Sequence, residues 1–233
     1  MSRWIVFRCQ TGAGVGLGHL MRCREMARHA RQQGIQAAMI GPTEALREAA
    51  DAKLFPVWQA VADRQGSAQD AARVLALCRR LGTRHAVIDD YRADPVFQRG
   101  LRAGGLRWLQ QFDASCDWRF CCDVLVHAGP GETRAAYLPR LEEPARTQTL
   151  FGPAHAVVRG GFRRVAKGPD GRAVRRVLVA FGGGDDRGAI TLVLGALGGR
   201  LDGDVTLVVV SGAGNPGLAG VRGALHKLGP GAA

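Results

Sequence analysis

No stretch of this 233-residue sequence approaches the ~20 apolar residues that a membrane helix requires. The N-terminus carries Arg3, but no long apolar segment of a secretory signal follows it. The expectation is a soluble, cytoplasmic protein. The six cysteines, Cys9, Cys23, Cys78, Cys116, Cys121 and Cys122, form no CxxC pair and have no companion histidine cluster. That excludes a recognisable zinc ligand set and leaves reduced thiols as the expected state. Aromatic residues are only 6% of the chain and are not interleaved with basic residues on recognisable strands. A stacking platform for nucleic acid is therefore missing.

Acidic residues are outnumbered: 32 Lys plus Arg face 20 Asp plus Glu, a formal charge of +12, and nearly all of the positive charge is Arg. The arginines are scattered, with only short pairs such as Arg79-Arg80, Arg163-Arg164 and Arg175-Arg176. Such a distribution fits a general preference for Arg, or an anionic small ligand, better than nucleic acid. Glycine, by contrast, is plentiful at 33 residues, so tight turns are frequent.

The chain is organised around Gly12 to Cys23, GAGVGLGHLMRC. An apolar run, Trp4 to Phe7, precedes it, and a helical pattern follows to about Gln33. Strand, glycine-rich turn and helix in that order let the backbone approach a ligand closely and point unpaired N–H groups at it. Two familiar readings of such a turn fail. The spacing G-x-G-x-G-x-G is not the dinucleotide fingerprint G-x-G-x-x-G, and Gly41 stands after Ile40 where a ribose-binding carboxylate is wanted. His19 and Leu20 occupy the places of the Lys and Ser/Thr of a nucleoside-triphosphate loop.

Further strands are predicted at 36–40, 85–88, 106–111 and 123–127, and helices at 43–50, 67–81 and 95–102. Leu150 to Pro153 followed by His155 to Arg159 reads as a turn and a short strand. Prolines and glycines then interrupt the pattern, and a second unit begins with strand 177–181, the turn Gly182 to Asp186, a helix over 187–200, strand 205–210 and a weak helix at about 218–228. The alternation predicts an α/β fold with a mostly parallel sheet. The first unit has about five strands; the second has only two, which is marginal for an independent core. The boundaries are expected at 1–162 for the first domain, 163–175 for a linker, and 176–233 for a partial second domain.

Ligands of such sheets sit beyond the C-terminal strand ends. His19, Asp89, Asp90, Tyr91, Asp113 and His127 all follow apolar runs there. His19 is the leading candidate for proton transfer, since imidazole titrates near neutrality; the alternative is that it caps or packs the turn. Asp89, Asp90 and Tyr91 can contact sugar hydroxyls or orient an imidazole, or the carboxylates can cap the next helix. Gly182 to Gly184 can receive a phosphate on backbone N–H groups or simply make a tight turn. Asp185 and Asp186 would oppose an anion unless they cap the helix or turn away, and Asn215-Pro216 reads as a turn signal alone.

Four separated segments carry a family likeness: Phe7-Arg8 with the GxGxGHLMRC run, IDDY at 88–91, LFGPxxxVVR at 150–159, and VLVAFGGGDD at 177–186. Together they resemble the UDP-2,4-diacetamido-2,4,6-trideoxy-altropyranose hydrolases of pseudaminic acid biosynthesis, over about residues 3–212. The resemblance implies a MurG-like GT-B fold: a Rossmann-type N-terminal domain on the sugar side and the first part of a second Rossmann-type domain on the nucleotide side. It implies release of UDP from a UDP-linked acetamido sugar without metal or cofactor, water attacking the anomeric carbon with help from His19. By the same resemblance Gly16 and Gly18 precede the catalytic histidine, Asp89 and Tyr91 face the sugar, and Gly182 and Gly183 lie on the hinge or diphosphate side. The product would feed a surface polysaccharide or flagellin glycosylation.

Four positions depart from that family's pattern: Gln10, His127, His155 and Gly161. Its members are also longer, by the second half of the C-terminal domain. Three functions follow as expectations: the hydrolase, a glycosyltransferase-like enzyme using another acceptor, and an inactive accessory protein that binds a nucleotide sugar. Self-association, or a second polypeptide completing the C-terminal domain, is expected to accompany them. No nucleic-acid partner is expected.

Overall fold

A computed structural model describes residues 3–12, 15–61, 65–114, 117–164, 173–198, 200–201 and 204–228. The chain divides into two compact units. One comprises residues up to Thr11 together with His19–Arg163; the other comprises Gly12–Gly18 and the chain from Arg164. Residues 165–172 of the expected linker lie outside the described residues.

The first unit is built on a seven-stranded sheet, parallel throughout, in the order β3-β2-β1-β4-β5-β6-β7. Its strands are β1 (Arg3–Cys9), β2 (Ile35–Gly41), β3 (Val57–Ala60), β4 (His85–Asp89), β5 (Arg107–Gln111), β6 (Val124–His127) and β7 (Gln148–Phe151). The principal helices are α1 (Gly18–Gln32), α3 (Ala68–Arg80) and α4 (Pro95–Ala103), with single turns α2 (Asp51–Leu54) and α5 (Arg134–Tyr137). Both faces of the sheet are covered, as parallel strands require. On one face Leu20, Cys23 and Ala27 of α1 pack on Phe7, Met39 and Val87. On the other, Val74, Leu77 and Cys78 of α3 and Phe97 and Leu101 of α4 pack on Val6, Ile40, Ile88 and Trp108. β1 pairs with β2 on one side and β4 on the other, so the strand order reverses between β1 and β4. In open parallel sheets ligands bind outside the C-terminal strand ends at such a reversal.

Two strands escape the periodicity of the sequence. β3 and β7 are four-residue edge strands, too short to show an alternating pattern. The strand expected at 155–159 is replaced by β7: Gly152, at φ +91°, turns the chain out of the sheet and a 3-10 turn follows at Pro153–His155. The helix expected at 43–50 is instead a 3-10 turn, Glu44–Leu46, and the short α2. Between residues 44 and 50 only Leu46 among the larger side chains is apolar, so no stripe exists to bury along a helix.

Buried charge sits among the strands. Arg8 and Asp70 are wholly buried and Asp90 is 1% exposed. Arg8 Nη2 reaches Asp70 Oδ2 at 2.7 Å and Asp90 Oδ2 at 3.0 Å. Burial opposes the guanidinium charge, but the Asp70 hydrogen bond and the charges of Asp70 and Asp90 outweigh it and raise the Arg8 pKa. Space for this side chain depends on Gly41. At φ +125° a Cβ there would collide with Cys9 O and come within 2.8 Å of Arg8 Nη1.

Asp90 therefore does not cap the next helix. Asp94 does: it accepts from Phe97 N at 2.9 Å, and Pro95 occupies the first turn, where no N–H is needed. Asp94→Ala is expected to cost about 1 kcal/mol, read as a lower denaturant midpoint at unchanged m-value.

The second unit contains β8 (Arg176–Ala180) and β9 (Thr206–Val210), paired in parallel, with α6 (Ala189–Leu197) and α7 (Leu218–Leu228). Val179, Ile190, Leu194, Leu207 and Val221 form its small core. The opposite sheet face leaves Leu178 and Val210 exposed. Asp186 caps α6, accepting from Ile190 N at 2.7 Å. That backbone hydrogen bond leads the effects that hold its carboxyl below the ordinary range. Asn215 is more than a turn signal. It is buried, and its amide donates to Asp186 Oδ1 at 3.0 Å and Ser211 Oγ at 2.9 Å, tying together the loops after β8 and β9.

Candidate active site

The site is assembled where the strand order reverses. α1 starts at Gly18 directly after the glycine-rich turn, which brings His19 to its first turn. β4 ends on Asp89. His19 Nδ1 and Asp89 Oδ1 are 2.6 Å apart, across 70 positions of sequence, and both side chains are buried. Arg22 Nη2 lies 3.1 Å from the same Nδ1 but donates at the shorter 2.8 Å to Asp89 Oδ1; with the carboxylate accepting at 2.6 Å, the proton of the pair is assigned to Nδ1 and the lone pair to Nε2. Among the described residues no hydrogen-bond partner reaches Nε2. The Tyr91 ring meets the imidazole edge-on, with centroids 4.6 Å apart.

Arg22, which no sequence motif marks as a site residue, holds this pair in place. Its Nε donates to Asp89 Oδ2 at 2.9 Å and its Nη2 to Asp89 Oδ1 at 2.8 Å. Its Nη1 donates to Asp113 Oδ2 at 2.9 Å. Burial works against the charge, but the hydrogen bond and charge of Asp89, with Asp113, raise the Arg22 pKa. Asp113 also accepts from the Tyr91 hydroxyl. Burial, followed by that hydrogen bond, pushes the Tyr91 phenol up to about 12. Tyr91 thus remains a neutral donor near pH 7. Gln10 steadies the same corner, its Oε1 accepting from Tyr91 N at 2.9 Å. Arg22 was legible in principle: it lies three residues after His19, on the same face of α1.

Chemically the cluster is an imidazole backed by a carboxylate, with one arginine shared between two carboxylates. Counting Asp89, Asp113 and Arg22, the cluster carries one net negative charge while His19 is neutral. A proton taken up on Nε2 brings that sum to zero. This arrangement suits a group that removes a proton from a hydroxyl.

Asp90 and His127 have other partners. Asp90 belongs to the Arg8 cluster and also contacts Arg92 Nε at 3.1 Å. His127 ends β6 and packs against Tyr137 and Phe151, its Nδ1 accepting from Gly129 N at 3.1 Å. Gly16 and Gly18 are grouped with the second unit, as are Gly182 and Gly183. A Cβ on Gly16 would lie 3.4 Å from Gly184 N and 3.7 Å from Gly183 N. Gly182 has φ +82°, a conformation that favours glycine. Cys9, Cys23, Cys78, Cys121 and Cys122 are free and buried, and Cys116 lies outside the described residues. Among the described residues no group of three or more His, Cys, Asp or Glu is arranged to hold a metal, and no helix is long and apolar enough to cross a membrane.

Comparison of the sequence with protein-family models and with curated proteins finds no match. Solved structures do match. MurG of Acinetobacter baumannii aligns with 99% of this chain and 64% of its own, at TM-score 0.52 and 14% identity. HepE of Anabaena, solved in complex with UDP and glucose, aligns with 99% of this chain and 68% of its own, at TM-score 0.60 and 9% identity. A glycosyltransferase of Rickettsia africae aligns with 98% and 66%, at TM-score 0.58 and 9% identity. The fold is that of the GT-B glycosyltransferases, and the chain spans about two thirds of the length of these structures.

Proposed function

We propose that this protein acts on a nucleotide sugar, transferring the glycosyl group from UDP to an oxygen nucleophile with His19 as general base. The observation that carries the reading is the His19–Asp89 pair, 2.6 Å apart at the strand-order reversal. In this scheme the nucleophile's O–H proton passes to His19 Nε2 as its oxygen attacks the anomeric carbon. The bond from that carbon to the UDP oxygen breaks, and UDP leaves with the electron pair. Asp89 keeps the imidazole in the required tautomer and balances the imidazolium that forms. Arg22 positions Asp89, and the Tyr91 hydroxyl orients Asp113. The GT-B fold supports this reading, as does the fact that a neighbour of that fold was solved with UDP and glucose.

A second reading takes water as the nucleophile: hydrolysis of a UDP-linked diacetamido-trideoxy sugar in nonulosonic acid biosynthesis. The run of four motifs, from the GHLMRC segment at 18–23 to FGGGDD at 181–186, favours it. UDP release, measured across a panel of UDP-sugars with and without acceptor alcohols, separates the two. Release that requires an acceptor supports transfer. Equal release without one supports hydrolysis. No release from any UDP-sugar, under either condition, rejects both.

A further inference from the structure

Two adjacent glutamines end β5, both buried, with their side chains on opposite faces of the sheet. Gln110 has a partner at each end of its amide. Trp108 Nε1 donates to its Oε1 at 3.3 Å, and its Nε2 donates to Asp90 O at 3.4 Å. Gln111 therefore shares the other face with Leu109, which packs against the cluster containing Leu20 and Cys23 of α1. The β4–β5 register pairs Ile88 with Gln110, which sets Gln111 beside Asp89. Asp89 lies on that same face, two residues after Val87. Gln111 is only 1% exposed, and among the described residues its Oε1 has no hydrogen-bond partner.

A buried carbonyl oxygen without a donor is costly, and a methionine of similar size would avoid the cost. A ligand that supplies the missing hydrogen would remove that cost. We infer that Gln111 is a sugar-recognition residue. Its carboxamide turns toward the glycosyl unit held at His19 and accepts a hydrogen bond from a ring hydroxyl or an acetamido N–H. The inference rests on the nucleotide-sugar reading above and names the residue that reads the sugar. Gln111 takes no part in the proton transfer itself.

Calorimetric titration of wild type and Gln111→Met with UDP, UDP-glucose and UDP-N-acetylglucosamine, with thermal unfolding of each protein, tests it. The expected result is a melting temperature equal to or above wild type and an unchanged affinity for UDP. Affinity is expected to fall about tenfold for one or both UDP-sugars. A loss confined to UDP-N-acetylglucosamine identifies the acetamido group as the partner; a loss on both identifies a hydroxyl. Two results would overturn the inference: unchanged affinity for both UDP-sugars at any melting temperature, which makes Gln111 a structural amide, or equal losses for UDP and the UDP-sugars. If wild type binds none of the three, the nucleotide-sugar reading itself falls, and this assignment falls with it. Gln111→Leu serves as the second apolar variant and carries the same expectations.

Discussion

His19→Ala is expected to slow UDP release from the preferred UDP-sugar by about 10²–10⁴-fold, the usual contribution of a positioned general base. Stability should barely change, because the pairing of Asp89 survives: Arg22 still donates to both of its carboxylate oxygens. Asp89→Asn should lose comparable activity, because an amide fails to hold the Nδ1 tautomer as a carboxylate does. That variant should also lose stability, since Arg22 keeps only Asp113 as its anion. The two substitutions therefore separate chemistry from folding. Initial rates and thermal unfolding on the same preparations measure both. If His19→Ala retains wild-type turnover, the imidazole only packs the turn and the base must be sought elsewhere.

The largest effect on stability is expected from Arg8→Met. Methionine matches the bulk of the side chain but leaves the buried Asp70 without a cation. Asp90 is less exposed to the loss, because Arg92 still reaches it. Removing one partner of a buried ion pair costs about 3–5 kcal/mol. Typical domains hold only about 5–15 kcal/mol in total, so a large part of the stability goes with this one side chain. At about 2–4 °C per kcal/mol for chains of this size, the melting temperature of the first unit should fall by roughly 6–20 °C. Adding Asp70→Asn removes the stranded charge and should recover part of the loss, a coupling that a double-mutant cycle reads directly. Additive losses in the two variants would show that the pair contributes no net coupling.

Both predictions concern residues whose partners are distant in sequence. Asp70 is 62 positions from Arg8, and Asp89 is 70 positions from His19. Helix and strand patterns are local, so they were legible. The stripe of Ala71, Val74 and Cys78 marks α3, and Ser67 caps it by accepting from Asp70 N. The apolar run before the glycine-rich turn marks β1. The short edge strands β3 and β7 carry no such pattern, because an edge strand takes its place from the neighbour it pairs with.

The site divides in the same way. From sequence, His19, Asp89 and Tyr91 could be set together at the strand ends, because every parallel strand of such a sheet delivers its C-terminal residue to one side. Asp90 stands next to Asp89 and looked equivalent. Strand alternation sends the two carboxylates to opposite faces, one to His19 and Arg22, the other to Arg8. Arg22 was one more arginine in an arginine-rich chain until folding placed two carboxylates around it. Gln111 ends the strand predicted at 106–111, and only packing shows its oxygen to be buried and, among the described residues, unpaired.

Local chemistry in the sequence determined the α/β alternation, the glycine turn and the place of His19 at the start of α1, because turns and amphipathic periods are written in neighbouring residues. Which carboxylate backs the histidine, which one neutralises Arg8, and what Arg22 is for were decided by tertiary structure. Charges buried at low dielectric must find partners in space, and those partners come from other strands.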